Sequence, residues 1–403
     1  MDFYLYQYNI NNIELTLDTN YTFTDGSITY LNIINDYDNR KLPIIQAGIE
    51  MTRDMIQKFY KYKDTALIKF DVYEQKLNNE KIVVDTSLYF RHTFSIIPAY
   101  TETKYQISTD TTTEENIDDI RSLQQFEMYL IDMNVVNWFN MQISGIFQNT
   151  SIPAVLESLF YMRNIPANTV VATPTLLNSV IDYIILPLGN LTDNILKLNM
   201  VYGMYAACPI VYYDLKYLYC INRIEPNVIV PSTTEYDNIT FLLKNLTLSE
   251  SQIQGSATDS STKSHIVNIQ DRPVISDYTA KDTSTKFSTI ASVNESGNIS
   301  KNTIDSNSTA LSYVFEYNIL TKDQIQNEMM GGHRVTIDIP NIAVSFLRPY
   351  KSYTFNVDTE YTDLNLTGHI YRLSQWSITI HRKGLREYSH EVNVVLYNPS
   401  RDK

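Results

Sequence analysis

The chain has 403 residues, with 45 acidic and 32 basic side chains and a formal net charge of −13. Its length exceeds what one ordinary hydrophobic core supports, so we expect two to four domains. The acidic balance argues against a protein that binds DNA without sequence preference, because such proteins need a cationic surface to release counterions from the phosphates.

The composition favours β-strands joined by polar loops, since the chain contains 31 tyrosines and many Asn, Ile and Thr residues. No stretch of about 18 apolar residues is present, so no membrane-spanning helix is predicted. The first residues show no basic segment followed by an apolar run, and no signal peptide is predicted either.

Residues 1–110 are predicted to form a first β-rich domain that contains one helix. Apolar residues alternate along its strands, so Lys69 and Asp71 are expected to face outward. Thr52 is the predicted N-cap of the helix, with Asp54 in the first turn. The predicted strands are Leu42–Met51, Ala66–Val72 and Tyr89–Ile97.

Residues 111–226 are predicted to form a mixed α/β domain, entered through a polar linker. Ser151 and Thr192 are the predicted N-caps of two helices, because each precedes an apolar pattern with helical spacing. A hairpin is predicted over Pro209–Ile221. The apolar positions expected to be buried are Ile152, Val155, Leu156 and Leu159 with the first helix, and Ile195, Leu198, Tyr202 and Tyr205 with the second.

Residues 227–330 are predicted to be a polar, loop-rich segment with irregular strands. The tract from Ser249 to Ser312 is rich in Ser, Thr, Asn and Asp, with single apolar residues among them. Two interpretations stay open for this tract: disorder, or irregular strands and long loops on the outside of an assembly. Regular structure is expected to resume at Tyr313–Phe315 and in a helix over Lys322–Met330.

Residues 331–403 are predicted to consist of strands that end in a closing hairpin, Ile370–Pro399. The two strands of this hairpin alternate around a Lys383-Gly384 turn, with a one-residue slip near Gln375. The other predicted strands of this domain are Val335–Ile339, Ile342–Phe346 and Tyr353–Val357.

The closing hairpin resembles that of a known protein family. Its first strand reads Tyr-x-Leu-x-x-Trp from Tyr371, and its second strand ends with Val-x-Leu at Leu396. This pattern is similar to the closing hairpin of the phage baseplate hub proteins, which cap the tail tube of contractile-tailed bacteriophages. The segment Leu186–Gly203 is similar to the part of these proteins that lies between their two barrels.

The resemblance implies a β-rich α+β fold: two tube-type antiparallel β-barrel domains, with a mixed α/β insertion and a polar loop-rich segment between them. It implies a structural protein rather than an enzyme, with no catalytic, cofactor or metal site. A homotrimeric hub ring in the virion, assembled in the host cytoplasm, would join the sixfold tail tube to the central threefold spike. The implied partners are the tail tube protein, the spike protein and other baseplate proteins, and DNA would pass through the ring without specific binding.

The alternative function is a cell-wall hydrolase of the tail lysozyme type on a hub-like scaffold. Such an enzyme needs two carboxyl groups that converge on one sugar, one of them with a raised pKa. The acidic residues considered for this role are Glu114, Glu115, Asp118 and Asp119, and then Asp358, Glu360 and Asp363. Their polar surroundings instead predict solvated carboxylates on exposed loops.

The other reactive side chains form no recognisable catalytic pattern. His381 and His390 could approach each other across the closing hairpin, and a polar pair is favoured over a metal site. Cys208 and Cys220 lie around the predicted middle hairpin; a disulfide is geometrically conceivable, but two buried thiols are expected. The Gly331-Gly332 pair predicts a turn before a strand.

Overall fold

The computed structural model of the protein is mostly β-sheet, with few helices. The residues that it describes are 5–78, 80–99, 123–133, 135, 142–162, 168–171, 180–205, 209–222, 238–243, 246–248, 265–271, 287–293, 299–303, 311–316, 333–339, 342–357, 366–384 and 387–398.

Within the described residues up to Asp132, the chain forms seven strands and one helix. The strands are β1 (Leu5–Thr16), β2 (Asn20–Thr22), β3 (Ile28–Asp36), β4 (Ile44–Thr52), β5 (Leu67–Leu77), β6 (Val83–Pro98) and β7 (Leu123–Asp132), and the helix between β4 and β5 is α1 (Arg53–Tyr62).

The middle part alternates strands and helices. In chain order these are β8 (Ile143–Thr150), α2 (Ile152–Met162), β9 (Asn168–Val171), β10 (Ile181–Gly189), α3 (Leu191–Tyr202), β11 (Pro209–Tyr213) and β12 (Tyr217–Asn222). The predicted hairpin over Pro209–Ile221 is confirmed, because β11 and β12 pair in antiparallel register.

The last part of the chain is again rich in strands. They are β13 (Asn238–Leu243), β14 (Leu246–Leu248), β15 (His265–Asp271), β16 (Phe287–Val293), β17 (Ile299–Thr303), β18 (Leu311–Glu316), β19 (His333–Ile339), β20 (Ser352–Val357), β21 (Arg372–Arg382) and β22 (Tyr388–Tyr397). A short 3₁₀ turn, Val344–Phe346, lies between β19 and β20.

One twelve-stranded sheet contains strands from both ends of the chain, in the order β14-β15-β19-β22-β21-β3-β4-β7-β6-β5-β1-β2. The link between the two ends is the antiparallel pair β21 and β3, in which Ile378 lies opposite Ile33. This pairing satisfies the backbone groups along one edge of each strand. The predicted division into two separate barrels is therefore not confirmed, since β3 and β21 share one sheet.

The row of strands from β22 to β1 curls back on itself. The order within this row is β22-β21-β3-β4-β7-β6-β5-β1, and β1 in turn lies against β22. The rings of Tyr8 in β1 and His390 in β22 meet edge to face, with their centroids 5.0 Å apart. The core of the row is consequently enclosed by strands from the beginning and the end of the sequence.

The other described strands form four small sheets: β8 with β10, β11-β12-β9, β13 with β20, and β17-β16-β18. Three strands of the polar tract between Ser249 and Ser312 belong to sheets, because β15 pairs with β19 and β16 pairs with both β17 and β18. For these residues the structure supports the interpretation as strands.

Several local sequence predictions are confirmed. The Met55 amide donates a hydrogen bond to the Thr52 hydroxyl at 3.3 Å, so Thr52 caps α1 as predicted. The slip near Gln375 is confirmed by a register shift between Leu373 and Gln375 in the closing hairpin. The predicted apolar positions of α2 and of the α3 region are all buried: Ile152, Val155, Leu156, Leu159, Ile195, Leu198, Tyr202 and Tyr205.

Two local predictions of secondary structure are wrong. The N-cap of α3 is Asn190, whose side chain accepts a hydrogen bond from the Asp193 amide at 2.9 Å. Thr192 instead lies inside the first turn with its side chain buried. The segment Ile342–Phe346 is not a strand, because the 3₁₀ turn there is held by side chains of other strands.

Among the described residues, no helix is both long enough and apolar enough to cross a membrane.

Candidate functional site: buried junctions and exposed strands

Several residues considered from the sequence lie outside the described residues. These are Glu114, Glu115, Asp118, Asp119, Asp358, Glu360, Asp363, Cys208 and the Gly331-Gly332 pair, together with the helix predicted over Lys322–Met330. Within the described ranges, no group of three or more His, Cys, Asp and Glu side chains is arranged to hold a metal ion.

The two histidines of the closing hairpin do not pair with each other. His390 lies opposite Ile380, and His381 lies opposite Ser389. Because successive residues of a strand point to opposite faces of the sheet, this register directs the two imidazoles to different sides. His390 packs on Tyr8, whereas the ring of His381 lies 6.4 Å from that of Tyr30.

Cys220 is a free cysteine in the buried strand β12. Burial raises the pKa of its thiol to about 12, and the Tyr205 hydroxyl lies 3.7 Å from Sγ. At neutral pH the thiol is thus protonated and a poor nucleophile. The expectation of a buried thiol is met for Cys220.

A fully buried ion pair joins the middle part of the chain to the segment before β20. Arg348 Nη1 donates to Asp214 Oδ2 at 3.1 Å, and neither side chain is exposed to solvent. The Tyr219 hydroxyl donates to the same carboxylate oxygen at 2.6 Å, while the guanidinium lies 5.0 Å from the centre of the Tyr217 ring. Asp214 Oδ1 accepts the Tyr217 amide at 2.8 Å, which also shapes the β11–β12 turn. We call this group the Asp214–Arg348 junction.

A buried carboxylate holds the 3₁₀ turn onto the first strands. Glu74 of β5 accepts hydrogen bonds from the Ser345 hydroxyl at 2.7 Å and the Tyr8 hydroxyl at 3.0 Å. The Tyr8 hydroxyl in turn accepts the Val344 amide at 2.8 Å. Burial raises the pKa of Tyr8 well above its ordinary value, so its hydroxyl keeps its proton. These contacts fix residues that are far apart in sequence.

Asp71 corrects the sequence prediction, because it is buried rather than directed to solvent. Arg91 contacts it through two hydrogen bonds of 2.8 and 2.6 Å, and Asn12 donates a third of 2.8 Å. Hydrogen bonding to Arg91 holds the pKa of Asp71 below its ordinary value. Asn12 lies at an irregularity in β1 with φ of 54°, a conformation that Asn tolerates well. The bulge therefore brings the amide to the carboxylate.

A second ion pair joins the closing hairpin to β4. Arg382 Nη1 donates to Glu50 Oε2 at 2.7 Å and to the Gly26 carbonyl at 2.7 Å. The hydrogen bonds from Arg382 lower the pKa of Glu50. Both side chains stay partly exposed, at 26% for Arg382 and 28% for Glu50. We call this group the Glu50–Arg382 pair.

Sequence reasoning missed these polar contacts because each joins distant segments. Asp214 lies within the predicted hairpin over Pro209–Ile221, and Arg348 stands between Leu347 and Pro349 with no acidic residue nearby in sequence. The available signal was the presence of a charged residue within an otherwise apolar stretch. Such a signal indicates a buried partner, but it does not identify that partner.

The β8–β10 sheet exposes an apolar surface. Ile185 of β10 lies opposite Ile146 of β8, and these side chains are 55% and 67% exposed. The opposite face of β10 carries the buried Ile184 and Leu186 and packs on α3. The two-stranded sheet is thus covered on one side and open on the other among the described residues. Its other exposed apolar residues are Tyr183 and Leu188.

The second exposed strand is the first half of β6. All nine residues of 80–88 are exposed, which is the longest such run among the described residues, and we call this segment the arm. From Val83 to Leu88 the arm pairs with β5, whereas β7 pairs with β6 only from Phe94 onward. In the described part of the chain, the outer edge of the arm has no strand partner.

Neither surface has the features of a catalytic site. The described residues show buried carboxylates that accept several hydrogen bonds inside and apolar strands outside, an arrangement that suits binding between proteins. Contacts between proteins depend on complementary shape and on open strand edges, and they do not require side chains with shifted pKa values.

Several solved structures resemble the chain at low identity. The tail protein from Neisseria meningitidis MC58 has 9% identity and a TM-score of 0.49, over 97% of both chains. The 43 kDa tail protein of prophage MuSo2 from Shewanella oneidensis has 10% identity and a TM-score of 0.47, over 96% of this chain and 97% of its own. The Francisella PdpA-VgrG complex has 11% identity and a TM-score of 0.48, over 98% of this chain but only 53% of that one. At these values the similarities define no shared function.

No curated protein matches the chain. A family model described as bacteriophage PBS1 gene 109 protein matches residues 5–374. The resemblance to bacteriophage proteins that the sequence showed is confirmed at the level of this family. Because the matched range covers most of the 403 residues, the chain belongs to the bacteriophage PBS1 gene 109 protein family.

Proposed function

We propose that the protein is the hub of a phage tail baseplate: a homotrimeric ring that joins the tail tube to the central spike. The ring would surround the channel through which DNA leaves, and other baseplate proteins would bind around it. The observation that carries the proposal is the sheet shared by both chain ends, in which β21 pairs with β3 and β1 lies against β22. A self-enclosed row of strands is a rigid building unit for a ring.

Two buried junctions support a rigid subunit. The Asp214–Arg348 junction ties the middle part of the chain to the segment before β20, and Glu74 ties the 3₁₀ turn to β5. A ring that transmits force between a tube and a spike needs subunits whose parts do not move against each other. Buried, hydrogen-bonded contacts between distant segments resist such movement.

The charge of the chain fits a channel that DNA passes without binding. With a formal net charge of −13, each copy repels the phosphate backbone at long range. A structural role without catalysis is part of this proposal. The hydrolase alternative has no specific support, since the acidic clusters considered for it lie outside the described residues.

The first test is the mass of the purified protein by light scattering across a concentration series. We expect a species of three times 46.6 kDa that persists on dilution. The trimer should then bind purified tail tubes at one end only, which electron microscopy of the mixture would show. A monomer at every concentration that also fails to bind tubes would overturn the proposal, and peptidoglycan release by the pure protein would favour the hydrolase.

A further inference from the structure

We propose that one face of the twelve-stranded sheet lines the channel through which DNA passes. This inference rests on the proposed ring and names the surface of each copy that meets the DNA. The surface consists of the outward-facing side chains of six neighbouring strands, and we call it the cation-free face. In sheet order these strands are β22, β21, β3, β4, β7 and the end of β6.

The register of these strands places a continuous row of side chains across the face. Asn32 of β3 lies between Thr379 of β21 and Gln46 of β4. Gln46 in turn lies opposite Tyr129 of β7, and Tyr129 lies opposite Ile97 of β6. The residues next to the row in β21, β3, β4 and β7 are buried, so the row points away from the core.

Among the described residues, this face has negative charge and almost no basic side chains. β3, β4, β7 and β22 contain no Lys or Arg, and neither does Thr93–Pro98 at the end of β6. Arg372 and Arg382 stand at the two ends of β21, where they donate to the side chains of Ser352 and Glu50. The acidic residues of the face are Asp36, Glu50, Glu127 and Glu391. The phosphates of DNA therefore meet no row of cations there.

The uncharged polar side chains of the face bond one another. The Thr379 hydroxyl donates to the Asn32 side-chain oxygen at 3.4 Å, and the Gln46 amide donates to the Tyr30 hydroxyl at 3.2 Å. The Tyr30 ring lies over Gly48, where a Cβ would be only 2.5 Å from Cε1 of the ring. Glycine thus lets the ring lie close against the sheet. Since hydroxyl and amide donors also bind phosphates, donors that bond within the face are less available to DNA.

The other half of the same sheet has a different surface. There Lys69 of β5 lies 3.7 Å from Glu14 of β1, and Arg91 of β6 lies 2.6 Å from Asp71 of β5. Both signs of charge together are usual on protein surfaces. The lack of basic side chains is therefore a property of one part of the sheet, and the acidic composition of the whole chain does not explain it.

Duplex DNA in passage is the partner that fits the cation-free face. The core of a protein interface is usually apolar, whereas Thr379, Asn32 and Gln46 make the centre of this row polar. A polyanion that must move along a surface without stopping needs weak repulsion and few sites that hold it. Carboxylates without a row of cations supply that repulsion.

The first test asks whether the ring encloses the face, in the full-length trimer. Thr379→Cys and Gln46→Cys place thiols on the face, and Lys69→Cys places one on the other half of the sheet. Each trimer is labelled with a short biotin maleimide and mixed with streptavidin, which is too large to enter a channel just wide enough for DNA. We expect streptavidin to bind the Lys69→Cys trimer directly and the two face variants only after denaturation. The wild type reports any labelling of the native cysteines.

The second test adds positive charge to the face. Gln46→Lys with Tyr129→Lys changes an amide and a tyrosine that lie opposite each other. Asn9→Lys with Tyr73→Lys is the matched control, because these residues lie opposite each other on the other half of the sheet. In a gel-shift assay at low salt, we expect the face variant to gain binding of duplex DNA that is lost as salt is raised. The wild type and the control should bind none, and circular dichroism should show the same fold for all three.

Three results would overturn the assignment of the face and leave the trimeric ring intact. The first is streptavidin binding to the Thr379→Cys or Gln46→Cys trimer without denaturation. The second is binding of duplex DNA by the wild-type trimer at low salt, and the third is equal DNA binding by the face variant and its control. A wild-type monomer that also fails to bind tail tubes would overturn the ring and the channel face together.

Discussion

The Asp214–Arg348 junction and the Glu50–Arg382 pair use the same two chemical groups in different surroundings. The first is fully buried, and the second keeps about a quarter of each side chain in solvent. In the buried junction, the loss of hydration roughly cancels the attraction, so the pair contributes little net stability but is costly to break. In the exposed pair, water weakens the attraction between the two charges and also reduces the cost of removing one of them. Burial, rather than geometry alone, decides what each pair does for the fold.

Breaking the buried junction should have the largest effect. Asp214→Asn keeps the size of the side chain but leaves the Arg348 guanidinium buried without a counter-charge. We expect a loss of about 3–5 kcal/mol in the free energy of unfolding. Urea titration followed by tryptophan fluorescence measures it. Asp193→Asn is the matched control, because Asp193 pairs with Lys41 at the surface with 54% of its side chain exposed. The control should change stability by less than about 1 kcal/mol.

Removing both charges separates the cost of an orphaned charge from the value of the pair. The double variant Asp214→Asn with Arg348→Met should recover most of the stability lost in Asp214→Asn. Arg348 Nε and Nη2 already lack acceptors among the described residues, so methionine gives up few contacts. If the double variant is less stable than Asp214→Asn, the ion pair itself is the stabilising element.

The Glu74 cluster is an intermediate case, in which a buried carboxylate is held by uncharged donors. Tyr8→Phe removes the hydroxyl that bonds Glu74 and accepts the Val344 amide. We expect a loss of about 1–3 kcal/mol, because two buried groups lose a partner. The same unfolding titration measures it, with Tyr183→Phe as the control at a 58% exposed tyrosine. Equal stability of both variants would show that the 3₁₀ turn does not depend on this cluster.

Breaking the exposed pair should have a small effect. Glu50→Gln removes the charge that Arg382 contacts, and we expect a loss of about 0.5–1 kcal/mol at low salt. The difference from the wild type should shrink as sodium chloride is added, because salt screens exposed charges. A loss of stability as large as that expected for Asp214→Asn would mean that the Glu50–Arg382 pair is shielded from solvent. That result would contradict the difference in burial between the two ion pairs.

The exposed pair also predicts a dependence on pH. Arg382 lowers the pKa of Glu50 in the folded protein, so the pair contributes stability above the pKa of an unfolded Glu, about 4.3. That contribution is lost as the pH falls through the lower folded value. Stability of the wild type and of Glu50→Gln should therefore converge below about pH 4, as measured by thermal unfolding from pH 7 downward. A constant difference down to acid pH would contradict this origin of the pKa shift.

The sequence predicts the parts of the fold that depend on neighbouring residues. Thr52 and the buried stripe of α2 follow from capping and periodicity, which act over a few residues. Asn190 shows the limit of the same reasoning, because Asn and Thr are both N-cap residues and stand two positions apart, and the periodicity of the helix did not select the better cap, Asn. Local patterns thus identify the helix but place its first residue only to within about two positions.

The contacts of the candidate site could not be predicted, because they depend on the tertiary fold. Asp71 alternates with apolar neighbours and so predicts a solvent-facing side chain, yet Arg91 and Asn12 enclose it. Val344–Phe346 has the alternation of a strand, but its Val344 amide donates a hydrogen bond to Tyr8 and its Ser345 hydroxyl donates one to Glu74. Likewise, the sequence of neither strand alone indicates that β21 pairs with β3.

The pairing of β21 with β3 limits the order in which the protein can fold during translation. During translation, β3 leaves the ribosome more than 300 residues before β21, its eventual neighbour. Until then one edge of β3 is open to strands of other nascent chains, and contacts of such high sequence separation form slowly. Host chaperones or a scaffold of partner proteins would protect the open edge of β3 until β21 has been synthesised. A bulky tag fused close to β22 would interfere with the last step of folding, so an affinity tag is better placed at the start of the chain.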